Sequence, residues 1–104
     1  MSDIFKDLFE TILSRKGADP ESSYTASLFA KGTAKIAQKV GEEAVETAIE
    51  AIQGNKEKLT EESADLLYHL MVLWADRGLT PDDVMSVLKK RQGTSGHDEK
   101  ASRG

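Results

Sequence analysis

The segment from Leu59 to Arg77 constrains the fold most, because it is apolar around nearly the whole circumference of a helix. At about 100° per residue, one narrow polar stripe of roughly 60° carries Glu62, Asp65, His69 and Asp76. A helix this apolar is expected to be mostly buried, so its acidic stripe should face something other than bulk water. Leu67 is expected in the core, where replacement by alanine would cost about 2–5 kcal/mol.

The segment from Thr33 to Gln53 predicts a second long helix, which is amphipathic and strongly acidic on its polar side. Its expected apolar face contains Ile36, Ala37, Val40, Ala44, Val45, Ala48, Ile49 and Ile52. Its acidic face contains Glu42, Glu43, Glu46 and Glu50. Gly54 is the expected end of this helix, with residues 54–58 as the link to the next one.

The two acidic clusters suggest a metal site. Carboxylates about 5–6 Å apart repel by about 3 kcal/mol per pair at an effective dielectric near 20, so a partly buried cluster needs protonation, basic partners or a cation. A hard divalent cation suits oxygen ligands in a chain without cysteine. We therefore hypothesise a Mg²⁺ site shared by two helices. The alternatives are a solvated acidic face on the first helix and acids that complement the dipole at the start of the second.

The remaining segments also predict helices. Ser2 or Asp3 should begin a first helix that ends near Gly17, and Ser23 should begin a short one that ends near Gly32. Thr80 and Pro81 form a strong start signal for a last helix that stops at Gly93. The predicted fold class is all-α, an antiparallel helical bundle over residues 1–93, followed by a polar and flexible tail over 94–104. Because these helices barely cover the buried one, we expect a homodimer to complete the bundle.

Composition narrows the classes of function. The formal net charge of −4 and the dispersed lysines argue against binding to a nucleic-acid backbone. The absence of cysteine excludes disulfides and thiolate zinc sites. The apolar runs are too short for a membrane span, and the chain start does not resemble a signal peptide. These features predict a soluble, cytoplasmic protein.

The acidic clusters and their neighbours resemble a known family. Glu42-Glu43-Ala44-Val45-Glu46 and Glu61-Glu62-Ser63-Ala64-Asp65 are similar to the paired acidic signature of the all-helical, MazG-type nucleotide pyrophosphohydrolases. Within that superfamily, Ser23-Tyr24-Thr25, Lys39-Val40-Gly41 and the tail from Arg91 to Arg103 resemble the phosphoribosyl-ATP pyrophosphohydrolase family. The resemblance covers nearly the full chain.

The resemblance implies the second step of histidine biosynthesis, in which phosphoribosyl-ATP is hydrolysed with Mg²⁺ to phosphoribosyl-AMP and pyrophosphate. It implies four metal ligands: Glu43, Glu46, Glu62 and Asp65. Glu42 or Glu46 is the candidate for orienting or deprotonating the attacking water. Four cations are candidate phosphate contacts: Lys31, Lys35, Lys39 and Arg91. Tyr24 is a candidate contact to the base, whereas Trp74 is expected in the core.

Two other functions remain open from the sequence. One is a pyrophosphohydrolase of the same fold that acts on another nucleotide, such as a non-canonical triphosphate. The other is a non-catalytic helical dimerisation module whose acidic side chains only face solvent, and this module would not bind divalent metals.

Overall fold

The computed structural model describes residues 3–92, and every regular element in that range is an α-helix. The five helices are α1 (Ile4–Ser14), α2 (Tyr24–Lys31), α3 (Thr33–Gln53), α4 (Lys56–Asp76) and α5 (Pro81–Arg91). The all-α prediction is therefore confirmed. The predicted tail, residues 94–104, lies outside the described residues, and the proposed division of the chain at residue 93 stays a prediction.

The two long helices α3 and α4 form the antiparallel hairpin that holds the acidic residues, and they share the most extensive contact in the molecule. Helix α3 has the predicted bounds, and Gly54 ends it in a left-handed conformation with φ 76°. Helix α4 begins three residues earlier than predicted, because the Asn55 side chain accepts a hydrogen bond from the Lys58 backbone N–H and caps the helix. The predicted five-residue link is therefore only Gly54 and Asn55.

Side-chain caps begin the three shorter helices where the sequence predicted them. Asp3 accepts a hydrogen bond from the Lys6 backbone N–H, and Ser23 accepts one from that of Ala26. Thr80 and Asp83 form a reciprocal capping box at the start of α5. These local bonds explain why the starts of α1, α2 and α5 were readable from the sequence.

The hydrophobic core lies at one end of the hairpin, where α1 and α2 pack against α3 and α4. Its buried members come from all four helices: Phe9, Ile12, Leu28, Ile36, Met71, Val72 and Ala75. Trp74 packs against this cluster, as expected for a core residue. The C-terminal part of α4 is therefore covered, whereas at the other end of the hairpin only α3 and α4 are present among residues 3–92.

The face of α3 that packs against the other helices does not coincide with the apolar face predicted from the sequence. Only Ile36 and Glu43 are buried on this helix, whereas Val45 is 59% exposed and Ile52 is 86% exposed. On α4, Leu67 is 41% exposed, so the prediction that it lies in the core of this chain was wrong. Helical periodicity finds an apolar stripe, but it does not say which neighbour covers that stripe.

No helix within residues 3–92 is both long and apolar enough to cross a membrane.

Candidate metal centre

Carboxylates from α3 and α4 meet in the middle of the hairpin. Glu43, Glu62 and Asp65 each offer one oxygen, and these three oxygens lie within 4.8 Å of one another. Glu43 is buried, Glu62 is half-buried and Asp65 is exposed. The cluster therefore opens to solvent on the side of Asp65, and its base is formed by Glu43.

Each of the two inner carboxylates, Glu43 and Glu62, has one oxygen without a hydrogen-bond partner in the part of the chain that the structure describes. Glu43 Oε2 and Glu62 Oε2 are buried and have no hydrogen-bond partner there. Ionised carboxylates only accept hydrogen bonds, so neighbouring ones cannot satisfy each other without a proton. Hydrogen bonding of a protonated Glu62 to Glu46 and Glu43, together with burial and repulsion from their charges, raises the pKa of Glu62 to about 7.

These residues fit a hard divalent cation. Oxygen ligands from two helices converge, and two buried oxygens have no protein donor. A bound cation would both satisfy those oxygens and neutralise the repulsion that raises the Glu62 pKa. The donor set contains neither thiolate nor imidazole, so it suits magnesium better than zinc.

Lys39 lies between Glu43 of the cluster and the neighbouring Glu42. Its Nζ lies 3.8 Å from Glu43 Oε1 and 3.5 Å from Glu42 Oε1. Partial burial alone would lower the pKa of Lys39, but the electrostatic effects of Tyr24, Glu42 and Glu43 outweigh it and raise the pKa. Lys39 therefore stays charged and places one cation directly beside the carboxylates.

Glu42 and Glu46 occupy different surroundings, although both are exposed. The Gln38 amide donates a hydrogen bond to Glu42 Oε2 at 3.2 Å, and this bond, with the nearby Lys39 and Lys35, lowers the Glu42 pKa. The Glu46 carboxyl instead lies within hydrogen-bonding reach of Glu62. Glu46 thus borders the cluster at Glu62, and Glu42 is held by Gln38 and Lys39.

Tyr24 and His69 form a second polar group at the cluster. His69 Nδ1 lies 2.8 Å from the main-chain oxygen of Asp65, and His69 Nε2 lies 3.1 Å from the Tyr24 hydroxyl. His69 is buried, and both of its ring nitrogens have partners. The contact between Tyr24 and His69 was not predicted, because the two residues are 45 positions apart in the chain and lie on different helices.

The other candidate phosphate contacts lie farther along the helices. Lys31 is an exposed residue in the last turn of α2. Lys35 is half-buried in the first turn of α3, near enough to Glu42 to help lower its pKa. Arg91 lies in the last turn of α5, a helix that packs against α1. Lys39 is the candidate that makes an ion pair with the carboxylate cluster.

Gln38 is a site neighbour that sequence analysis did not single out. It lies one helical turn before Glu42, at the spacing where side chains on a helix meet. That spacing was visible in the sequence, but many glutamine–glutamate pairs at this distance carry no function. Only its place beside Lys39 and the cluster makes it notable.

Comparisons with known proteins agree on one family. The family model described as "Phosphoribosyl-ATP pyrophosphohydrolase" matches residues 5–92. A protein of Azospirillum brasilense named "Phosphoribosyl-ATP pyrophosphatase" is 67% identical over 92% of this chain and 86% of its own length. One of the same name from Paramagnetospirillum magneticum is 59% identical over 98% of this chain and 94% of its own.

The resemblance carried by the paired acidic segments is thus confirmed over almost the whole described range, from α1 to the end of α5. The relatives match along most of their own length, so the similarity is not confined to the acidic residues. The chain belongs to the phosphoribosyl-ATP pyrophosphohydrolase family.

Proposed function

We propose that this chain hydrolyses phosphoribosyl-ATP to phosphoribosyl-AMP and pyrophosphate, as the second step of histidine biosynthesis in the cytoplasm. The observation that carries the proposal is the convergence of Glu43, Glu62 and Asp65 in a chain of this family. Cleavage of the α–β phosphoanhydride releases a polyanion, and catalysis of such reactions rests mainly on positioning and on charge compensation.

Glu43, Glu62 and Asp65 would hold a Mg²⁺ ion, and Glu46 is the fourth candidate ligand because its carboxyl borders Glu62. When bound, the ion supplies positive charge that offsets the charge of the phosphates. The two buried oxygens without partners support this assignment, since a site without a cation would leave them unsatisfied.

Between the two candidates for the general base, the geometry favours Glu46. The hydrogen bond from Gln38 and the ion pair with Lys39 engage Glu42 and lower its pKa, which makes it a weak base. Glu46 is exposed and borders the cluster. In this proposal a Glu46 carboxylate oxygen accepts the proton of the water that attacks phosphorus, and pyrophosphate leaves with the bridging oxygen.

Lys39 is the proposed contact to the phosphates, with Lys31, Lys35 and Arg91 as further contacts. Lys39 lies beside Glu43 and keeps its charge, so it is available to an anion that enters the cluster. Lys35 extends the positive charge toward the start of α3. A phosphate group bound there would replace Glu42 as the partner of Lys39.

The proposed activity is tested by incubating the protein with phosphoribosyl-ATP and Mg²⁺ and measuring pyrophosphate. The control omits Mg²⁺ and adds a chelator, and it should produce none. ATP and deoxynucleoside triphosphates are assayed in parallel. Turnover of these nucleotides at a rate equal to that of phosphoribosyl-ATP would reject the proposed substrate. If no nucleotide is hydrolysed, the proposed enzymatic activity is rejected.

A homodimer is proposed because α3 leaves an apolar face uncovered. Val45, Ile49 and Ile52 are exposed on this helix, and Leu67 is exposed on α4. Gly41 belongs to the same helix, and a Cβ placed there would meet nothing within 4 Å, so another backbone has room to approach. A second copy of the chain packed on this face would cover the uncovered end of the hairpin.

A further inference from the structure

A chain of two hydrogen bonds links the α4 backbone to the surface of α2. His69 Nδ1 lies 2.8 Å from the main-chain oxygen of Asp65. A carbonyl oxygen only accepts hydrogen bonds, so Nδ1 must carry a hydrogen and donate it. This bond selects the tautomer of the imidazole ring and leaves Nε2 without a hydrogen in the neutral form.

The two hydrogen-bond partners of His69 match this tautomer. The ring is buried, and within residues 3–92 its hydrogen-bond partners are a carbonyl and a phenol, with no carboxylate in an ion pair. A hydrogen on Nδ1 and none on Nε2 match these partners, because the carbonyl only accepts a hydrogen bond and the phenol can donate one. Nε2 is therefore an acceptor, and the Tyr24 hydroxyl, 3.1 Å away, donates its only hydrogen to it.

The Tyr24 oxygen can consequently only accept a hydrogen bond from anything else. Its ring stacks on Tyr68 with centroids 6.3 Å apart, and it meets the His69 ring edge-on at 6.0 Å. These contacts restrict the phenol, although Tyr24 is 53% exposed. Tyr24 also helps to raise the pKa of Lys39, so the phenol lies near that ammonium.

We propose that His69 positions the Tyr24 hydroxyl to accept a hydrogen bond from a donor on the nucleotide, either a ribose hydroxyl or an amino group. Phosphate oxygens are acceptors and gain nothing from such an oxygen, so Tyr24 distinguishes the nucleoside part from the phosphate part. The inference rests on the proposed function, because it concerns how the same site orients its substrate.

The first test compares Tyr24→Phe with wild type in phosphoribosyl-ATP hydrolysis at saturating Mg²⁺. Loss of one hydrogen bond should raise KM about tenfold, with kcat within about twofold because the bond exists before and during reaction. The matched control is Tyr68→Phe. It removes the neighbouring hydroxyl, which is already paired with Thr25, and should leave KM unchanged.

The second test separates the two nitrogens of His69. His69→Gln keeps an acceptor near the position of Nε2, and His69→Asn keeps a donor near the position of Nδ1. If His69 acts by orienting Tyr24, the Asn variant should raise KM as Tyr24→Phe does, and the Gln variant should stay near wild type. If His69 instead acts by holding the Asp65 backbone, the Gln variant should raise KM and the Asn variant should stay near wild type. Thermal unfolding of both variants separates these effects from loss of the fold.

The outcomes also separate this inference from the proposed function. An unchanged KM in Tyr24→Phe, in a wild-type protein that hydrolyses phosphoribosyl-ATP, overturns the inference alone. A KM that rises equally in Tyr68→Phe also overturns it. Wild-type protein that releases no pyrophosphate instead rejects the proposed function. In the double variant Tyr24→Phe/His69→Asn, the two effects on KM should not add, because both remove the same bond.

Competitive inhibition by nucleotide analogues identifies which group of the nucleotide donates the hydrogen bond to Tyr24. The probes are ATP, 2′-deoxyATP, which lacks one ribose hydroxyl, and purine riboside triphosphate, which lacks the amino group. The probe without the relevant donor should inhibit wild type and Tyr24→Phe equally, while the other two should lose about tenfold in the variant. Equal inhibition of both proteins by all three probes would assign the donor to the additional phosphoribosyl group.

Discussion

Glu43, Glu62 and Asp65 are held together by two helices even though their charges repel. Glu43 is fixed on α3 beside Lys39, and the backbone at Asp65 is bonded to the buried ring of His69. Residues that carry like charges at this separation destabilise the chain unless another group compensates them. If the cluster is the proposed metal site, its repulsion lowers the stability of the metal-free chain, which individual substitutions can test.

Replacing Asp65 by asparagine should remove one of the proposed cation ligands while keeping the side-chain shape. We expect hydrolysis to fall more than about a hundredfold, beyond the 10–100-fold typical of groups that only support a metal ligand. The melting temperature of the metal-free protein should stay equal or rise, because repulsion with Glu43 and Glu62 is relieved. Turnover and thermal unfolding measure both effects. Glu57→Gln, an exposed acid at the start of α4, is the control and should retain activity.

The raised pKa of Glu62 predicts how stability depends on pH. Because its pKa in the folded chain is about 7 against 4.5 ordinarily, the folded state holds more protons than the unfolded state between these values. The free energy of unfolding of the metal-free protein should therefore fall as pH rises from about 4.5 through about 7.

Denaturant unfolding of wild type and Glu62→Gln in a chelator, from pH 5 to pH 8, isolates this contribution. The free energy of unfolding of the variant, relative to that of wild type, should increase as pH rises. Saturating Mg²⁺ should reverse the trend in wild type, because metal binding requires the deprotonated carboxylate. A difference independent of pH would contradict the proton assigned to Glu62.

At the scale of single helices, α3 has two distinct faces. The side that meets α4 and the core contains Ile36 and Glu43, whereas the side with Val45, Ile49 and Ile52 is exposed. Near the C-terminal end of α4, by contrast, Met71, Val72 and Ala75 are all buried. The cost of truncating an apolar residue should thus depend on the face and not on residue type.

Ile36→Ala and Leu67→Ala test this difference between faces. Ile36 is fully buried in the core, so its truncation should cost about 2–5 kcal/mol through the cavity that remains. Leu67 is partly exposed in the single chain, and its truncation should cost about 1 kcal/mol or less in the monomer. Equilibrium unfolding in denaturant measures both. A larger loss for Leu67→Ala, growing with protein concentration, would instead show that a second copy buries this residue.

At the scale of the whole molecule, the core is concentrated at one end of the hairpin, whereas apolar residues of α3 are exposed at the other end. Helices α1 and α2 cover the hairpin near Ile36 and Val72, but nothing within residues 3–92 covers Ile52, which is 86% exposed. The acidic cluster lies between these two ends. A second chain that packs on the uncovered end would lie close to the proposed site.

Ile52→Asp should convert the proposed dimer into a monomer, because a charge would be buried in an apolar interface. Sedimentation velocity over a range of protein concentrations measures the change in mass. Ile4→Asp is the matched control, since Ile4 is another exposed isoleucine, on α1, and should leave the mass unchanged. Dissociation by Ile4→Asp, with no effect of Ile52→Asp, would move the interface to α1.

The helices and the family membership follow from the sequence alone. Caps at Asp3, Ser23 and Thr80 and the glycine at 54 act between residues a few positions apart, so their signals are present in short segments. The spacing of Glu43, Glu62 and Asp65 also placed each acid on a predictable face of its own helix.

Which helix faces meet depends on how the whole chain packs. Glu43 is buried, whereas Val45 and Ile52 are exposed. Periodicity within α3 could not predict this difference, because hydrophobic burial has no direction and any apolar partner satisfies it. The pairing of Tyr24 with His69 likewise joins positions 45 residues apart. Packing of α2 against α3 and α4 brings these side chains together, and that packing depends on every helix at once.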